Sequence, residues 1–342
     1  MNLNELNPDA FSRFALTCAE IKKVANGRTI HILDIGGSSK YLYEFLTANN
    51  IKFQLTVVDI VDYEDKPKDV SFILQSAEKL KESDDTYDVV TAIDVLEHIP
   101  GAKMKSSIVS EALRVSKDTV IIAGPFKNEN VTRYEHMLND QNTKFFMQGQ
   151  KWLVEHFEYG KPVHSAIEKI MQQSAHEVYS YTTLPLTDWY VSSLVNLLTS
   201  VSKDIPLRKI QQLNTQYNVR FESDDDTIYT TDRESGYRTF LVAKKSATQI
   251  QTTITKPKHI KRLVGVETYV DVLAGAVHKN RTGAQLKKDI LWHKSENARL
   301  TKEVLDLREK VSKHEQSVDR DVPHRINQKV HQLIKGQGKK KK

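Results

Sequence analysis

Asp34, Asp59 and the run Asp94-Val-Leu-Glu97-His98 are the side chains of this 342-residue chain whose types and spacing could do chemistry together. Asp34 stands ahead of two glycines in Ile-Leu-Asp34-Ile-Gly36-Gly37-Ser38-Ser39, and Asp59 closes Val-Val-Asp59. The third block reads Tyr87-Asp-Val-Val-Thr-Ala-Ile-Asp94-Val-Leu-Glu97-His98-Ile-Pro100. Glycines in a turn let backbone approach a bound molecule closely, and a helix that follows directs free N–H groups toward it. The turn is not a dinucleotide fingerprint, because the third glycine of G-x-G-x-x-G is missing. An acid just ahead of it suits a cationic amine better than a pyrophosphate. Asp59 follows Asp34 at about the distance where an acid after a second strand reaches a ribose diol.

A ligand with an amine at one end and a ribose at the other describes S-adenosylmethionine. Methyl transfer from a sulfonium is an in-line displacement, so a protein must align the nucleophile, exclude water and remove a proton if the acceptor is a hydroxyl. His98 and Glu97 are the candidate catalytic groups for that proton, since a histidine titrates in the right range. Their other reading is to cap the helix that Pro100 opens or to bind backbone. Asp94, Glu97 and His98 also place hard oxygen and imidazole ligands within five residues, with His136 or His156 as a fourth. The pattern does not require a metal and none is expected; that set is the alternative.

Parallel strands must position these residues. Segments 29–35, 53–59, 71–75, 87–93 and 119–123 read as buried strands, with helices at 40–49 and 99–115 between them. Strands separated by helices imply parallel pairing with crossover helices, and ligands then collect at the carboxyl ends beside the switch point. Asp34, Asp59 and Asp94 all fall at such ends. Beyond Gly124-Pro-Phe126 the pattern is polar-aromatic and helical, then a helix at 165–175, a strand at 177–184, a helix opening at Asp188 and a last strand at 237–243. Apolar spacing over Phe11, Phe14, Ala15, Cys18 and Ile21 makes the single cysteine a buried helix residue and excludes an internal disulfide.

With those residues in view, the stretch from Ile32 to Phe126 resembles the class I S-adenosylmethionine-dependent methyltransferases, and most of all the small-molecule group with an Asp-x-Leu-Glu-His-Ile-Pro block. The resemblance implies a Rossmann-like seven-stranded α/β sheet with a helical lid insertion. It implies that Asp34, Gly36, Gly37 and Ser38 hold the methionine part and Asp59 the ribose. Ile60 would line the adenine, Ser76 and Ala77 would touch its edge, and Asp94 would close the pocket. Two departures stand out: members often carry glycine at Ser38 and Lys40, and aspartate at Ser76. The stretch Trp152-Leu-Val-Glu155-His156-Phe-Glu-Tyr159-Gly-Lys-Pro162 is similar to methyltransferases associated with bacterial surface-polysaccharide assembly. On that likeness His136, Trp152, Glu155, His156 and Tyr159 are candidates for binding an acceptor, and the activity expected is O-methylation of a cell-surface glycan or glycan-linked phosphate. Methylation of a quinone, lipid or other small metabolite is the alternative, and a coiled-coil scaffold that has lost catalysis is another.

Composition divides the chain. It is 39% hydrophobic with net charge +6, yet residues 247–342 hold 22 Lys+Arg against 10 Asp+Glu, leaving 28 against 34 for residues 1–246. The acidic front speaks against nucleic acid as a partner. We expect a methyltransferase domain at 1–246, with lid elements about 127–175 and 186–235, then a connecting segment at 247–282. From Leu286 to Val318 the seam positions advance alternately by four and three, with Ile or Val at a, Leu at d, Asn297 at an a position and His293 and His314 at d. That is a coiled coil over 283–322 favouring a parallel homodimer. A basic, disordered tail follows at 323–342, whose Lys-rich end could meet an anionic membrane surface. No apolar run reaches the roughly 18 residues of a membrane span and the start lacks signal-peptide features, so a cytoplasmic protein is expected.

Overall fold

The structure, a computed structural model, describes residues 2–37, 39–63, 66–201, 207–223, 229–230 and 235–246. Ser38, the 247–282 segment, the 283–322 heptads and the lysine tail lie outside the described residues.

Helix α1 (Pro8–Ala25) begins where Asn7 accepts the Asp9 amide at 2.8 Å and Pro8 fixes the first turn. It buries Phe11, Phe14, Cys18 and Ile21. Burial pushes the Cys18 thiol up to about 12, so it stays protonated as the apolar spacing implied. The pattern then alternates through β1 (Ile30–Ile35), α2 (Ser39–Ala48), β2 (Phe53–Asp59), β3 (Val70–Leu74), β4 (Tyr87–Ile93), α3 (Ala102–Val115) and β5 (Ser116–Gly124). Each strand that the sequence predicts in this half is present, within a few residues at each end. Continuous apolar runs mark β1, β4 and β5 because helices cover both faces of the sheet.

After α4 (Glu129–Phe146), α5 (Lys151–Tyr159) and α6 (His164–Gln172) come β6 (Glu177–Pro185), α7 (Leu186–Val201), α8 (Leu207–Ser223), β7 (Tyr229–Thr230) and β8 (Gly236–Lys244). The sheet order is β3-β2-β1-β4-β5-β8-β6-β7. Its first five strands are parallel, and β8 runs antiparallel between β5 and β6. Seven strands were expected; the eighth is the two-residue β7, an edge too short to announce itself by alternation. Strand order reverses between β1 and β4, which makes the crevice above their carboxyl ends the switch point.

The helical segments divide in a way the sequence did not separate. α6 packs with α3 on one sheet face through Ile167 and Met171, and α8 packs against α1 and the turn before it, where Asn218 donates to the Asn4 and Leu6 carbonyls. Both belong to the body of the domain rather than to an insertion over the site. Among the described residues no helix is long and apolar enough to cross a membrane.

Candidate active site at the strand ends

The β1 register with β4 sets Asp34 opposite Thr91. The Thr91 hydroxyl donates to Asp34 Oδ1 at 2.6 Å, and the carboxylate is 2% exposed. Burial pushes its pKa up to about 7, more than the Thr91 hydrogen bond draws it down, and the charge of Asp59 adds to the rise. Gly36, at φ +66, donates its N–H to the Val58 carbonyl, and a Cβ there would meet the Val95 side chain at 2.8 Å. At Gly37 a Cβ would lie 1.8 Å from Asp34 Oδ2. Gly37→Ala must therefore displace either the turn or a carboxylate that Thr91 already holds. We expect it to cost about 1–3 kcal/mol in denaturant unfolding and to remove cofactor binding. A variant as stable as wild type would contradict this packing.

Asp59 ends β2. Its Oδ1 accepts the Val61 amide and its Oδ2 the Tyr63 hydroxyl, both at 2.9 Å. Ile60 beside it is 72% exposed, an apolar surface turned outward at the crevice. Ser76 is exposed and accepts the Glu78 amide, while Ala77 is buried.

Asp94 follows β4 in a left-handed turn, φ +54, closed by its N–H to the Ala123 carbonyl at 2.7 Å. Arg238 of β8 grips it with Nε to Oδ1 at 3.0 Å and Nη2 to Oδ2 at 2.6 Å, and Arg13 of α1 also donates to Oδ2. The third arm of Arg238 reaches Asp9 at 2.6 Å. Burial opposes ionisation of Asp94, but the two guanidiniums outweigh it and hold the carboxyl at about 2. Asp94 is thus removed from the metal set that its spacing suggested, because both of its oxygens are taken. Sequence reasoning passed over Arg13, Arg238 and Asp9; a lone arginine inside the apolar run of β8 was the one available signal.

Glu97 and His98 lie in a short 3-10 turn, Leu96–His98, and make no cap on α3, whose first turn follows Gly101. The capping alternative is therefore set aside. Glu97 is 2% exposed and pairs with no cation among the described residues; burial first, and the Asp94 charge second, push its pKa well up. His98 Nδ1 donates to Glu155 at 2.8 Å, and its Nε2 lies 3.4 Å from His156 Nε2. Burial and the neighbouring imidazole hold His98 below its ordinary value, against the pull of Glu155. His156 Nδ1 donates to Glu135, which is fully buried and also takes the Tyr237 hydroxyl at 3.0 Å and the Lys161 ammonium at 2.6 Å.

These groups form one wall of a cavity of about 610 Å³, closed by residues of α1, α4, α5 and α7. Asp94, Glu97, His98, Trp152 and His156 line it, together with Arg13, Asn7, Asn142 and Asn196. Glu155 stands behind His98 rather than at the wall. His136 is exposed and stacks on Phe157 at 4.1 Å, and Tyr159 ends α5 with its carbonyl on Lys105; neither lines the cavity. The crevice residues Asp34, Asp59 and Ala77 are not in its lining either. Asp94 lines the cavity, and the side chain of its neighbour Val95 lies against Gly36 of the first turn.

Residues 9–119, about a third of the chain, match a family described as a methyltransferase domain. No curated protein matches the sequence. Among solved structures, the magnesium protoporphyrin IX methyltransferase of Synechocystis with bound SAH is 15% identical, covering 70% of this chain and 86% of that one, at a TM-score of 0.39. The YcgJ protein of Bacillus subtilis is 13% identical, covering 68% and 97%, at 0.37. Phosphoethanolamine N-methyltransferase 2 of Haemonchus contortus, solved with S-adenosyl-L-methionine, is 14% identical, covering 71% and 53%, at 0.40. Likenesses at this level say nothing about substrate.

Proposed function

We propose that this chain is an S-adenosylmethionine-dependent methyltransferase that methylates a hydroxyl of a glycan or glycan-linked phosphate. The observation that carries this reading is the junction at Asp94-Val95. There Asp94 lines the cavity walled by Glu97, His98 and His156, while the next residue packs on Gly36, two positions after Asp34.

The crevice residues fit the cofactor. Asp34 is buried with no cation paired to it among the described residues, which leaves its charge for an ammonium. Gly37 keeps any side chain off that carboxylate. Asp59 has lone pairs left for ribose hydroxyls, and exposed Ile60 offers an apolar face to adenine. When bound, the cofactor supplies an electrophilic methyl group on a sulfonium. The chain's own residues then place the acceptor and take its proton: Glu97 and His98 are the groups at the cavity wall able to do so.

Several features support a sugar-like acceptor. Asn142, whose Oδ1 has no hydrogen-bond partner among the described residues, and Asn196 offer amide atoms to hydroxyls, Trp152 offers an aromatic face, and the Arg13 guanidinium suits a phosphate. Helices α4, α5 and α7 serve as the lid over it. On the sequence pattern alone, the 283–322 heptads pair two chains and the lysine tail brings the pair to an anionic surface.

Calorimetry with S-adenosylhomocysteine tests the cofactor half. Wild type should bind, and Asp59→Ala should bind about 10- to 100-fold more weakly, the worth of charge-assisted hydrogen bonds to ribose. Heat from neither protein would end the reading. Transfer of labelled methyl to cell-envelope glycan fragments tests the acceptor half.

A further inference from the structure

We propose that Glu97, His98 and His156 form a binding site for a zinc-class divalent metal ion at the wall of the acceptor cavity. The geometry of the two imidazoles leads to it. Each Nδ1 faces a carboxylate at 2.8 Å, Glu155 for His98 and Glu135 for His156. A carboxylate accepts, so both protons sit on Nδ1 and both Nε2 atoms are bare lone pairs. Those lone pairs confront each other at 3.4 Å.

Two acceptors cannot bond one another, and a cation between them removes the conflict. With metal–nitrogen bonds of about 2.0–2.1 Å, a tetrahedral ion spans two nitrogens about 3.3–3.4 Å apart. The observed separation is that span. Glu97 completes the group: one of its carboxylate oxygens and one ring nitrogen of each histidine lie within 4.8 Å of one another, and the carboxylate is buried with no ion pair among the described residues. Carboxylates behind both histidines are the supporting shell that fixes the tautomer and aims the ring of a metal ligand. Two imidazoles and one carboxylate suit zinc, cobalt or iron better than calcium or magnesium. The fourth position opens on the cavity, where an acceptor oxygen would sit. That use rests on the methyltransferase reading, in which a bound ion would ease loss of the acceptor's proton in place of Glu97 and His98 acting as free bases, whereas the site itself does not.

The test is binding of zinc alone to full-length protein stripped with chelator, followed by calorimetry, with cobalt as a visible probe of tetrahedral ligation. Wild type should take up one ion that Glu97→Gln and His98→Gln each bind at least 100-fold more weakly. Circular dichroism of both variants shows that they are folded, and S-adenosylhomocysteine binding is measured on the same samples. No uptake by wild type, or uptake that either folded variant retains, overturns the site. A single imidazolium sharing its proton with the other ring would give that result. Zinc bound without S-adenosylhomocysteine would keep the site and sink the methyltransferase reading instead.

Discussion

Asp34→Asn is expected to abolish binding of S-adenosylhomocysteine while making the unliganded protein more stable at pH 8. The carboxyl is buried and its pKa is raised to about 7, against about 3.9 in an unfolded chain. Between those values the folded state keeps a proton that the unfolded state has lost. The stability tied to that proton is whole below about pH 4 and lost as pH rises through about 7. At pH 8 the folded wild type therefore carries a buried charge costing on the order of 4 kcal/mol, and the asparagine variant does not. The amide oxygen of the substituted side chain would still accept the Thr91 hydroxyl. Denaturant unfolding of both proteins from pH 4 to 8 should show nearly equal stability at the acid end and a gap that widens with pH. A cationic amine bound at Asp34 removes the cost, so affinity for S-adenosylhomocysteine should rise as pH passes 7. A variant that binds normally, or that is no more stable at pH 8, contradicts this account.

Arg238→Leu should be among the most destabilising substitutions in the domain. The guanidinium is 1% exposed and is the shared partner of Asp9 and Asp94. Removing one member of a buried ion network leaves uncompensated charge and costs about 3–5 kcal/mol. For a domain of this size that lowers the melting temperature by roughly 10 °C. Arg13 still reaches Asp94, which keeps the loss from being larger. Adding Asp94→Asn should recover part of it, because the second change removes the charge that the first exposed. The deficit should also shrink on acidification, as Asp94 of the variant, freed from Arg238, takes up a proton more readily. A loss under about 1 kcal/mol, or none recovered in the double variant, would mean that the network is not what holds the β4 turn.

The sequence by itself determined the parallel half of the sheet and the places of Asp34 and Asp59. Buried parallel strands read as unbroken apolar runs, helices between them show their own period, and the acids and glycines that end those strands are local in the chain. The site behind them was not local. Asp94 looked like a ligand or a pocket wall because its neighbours in sequence are Glu97 and His98, yet its partners come from α1 and β8. The sequence offered His136 and His156 equally as partners of His98, and only the fold chose His156, 58 positions later, while His136 stacks on Phe157. Glu155, the residue before His156 on the same helix, holds the other nitrogen of the His98 ring. Likewise α6 and α8 shared the polar-aromatic pattern of α4, α5 and α7, and only packing against α3 and α1 assigned them to the body. Local spacing encodes which residues lie at a strand end or on one helix face. Which charges neutralise each other, and which imidazoles are forced together, follows from the sheet order and helix docking that bring distant segments to one wall.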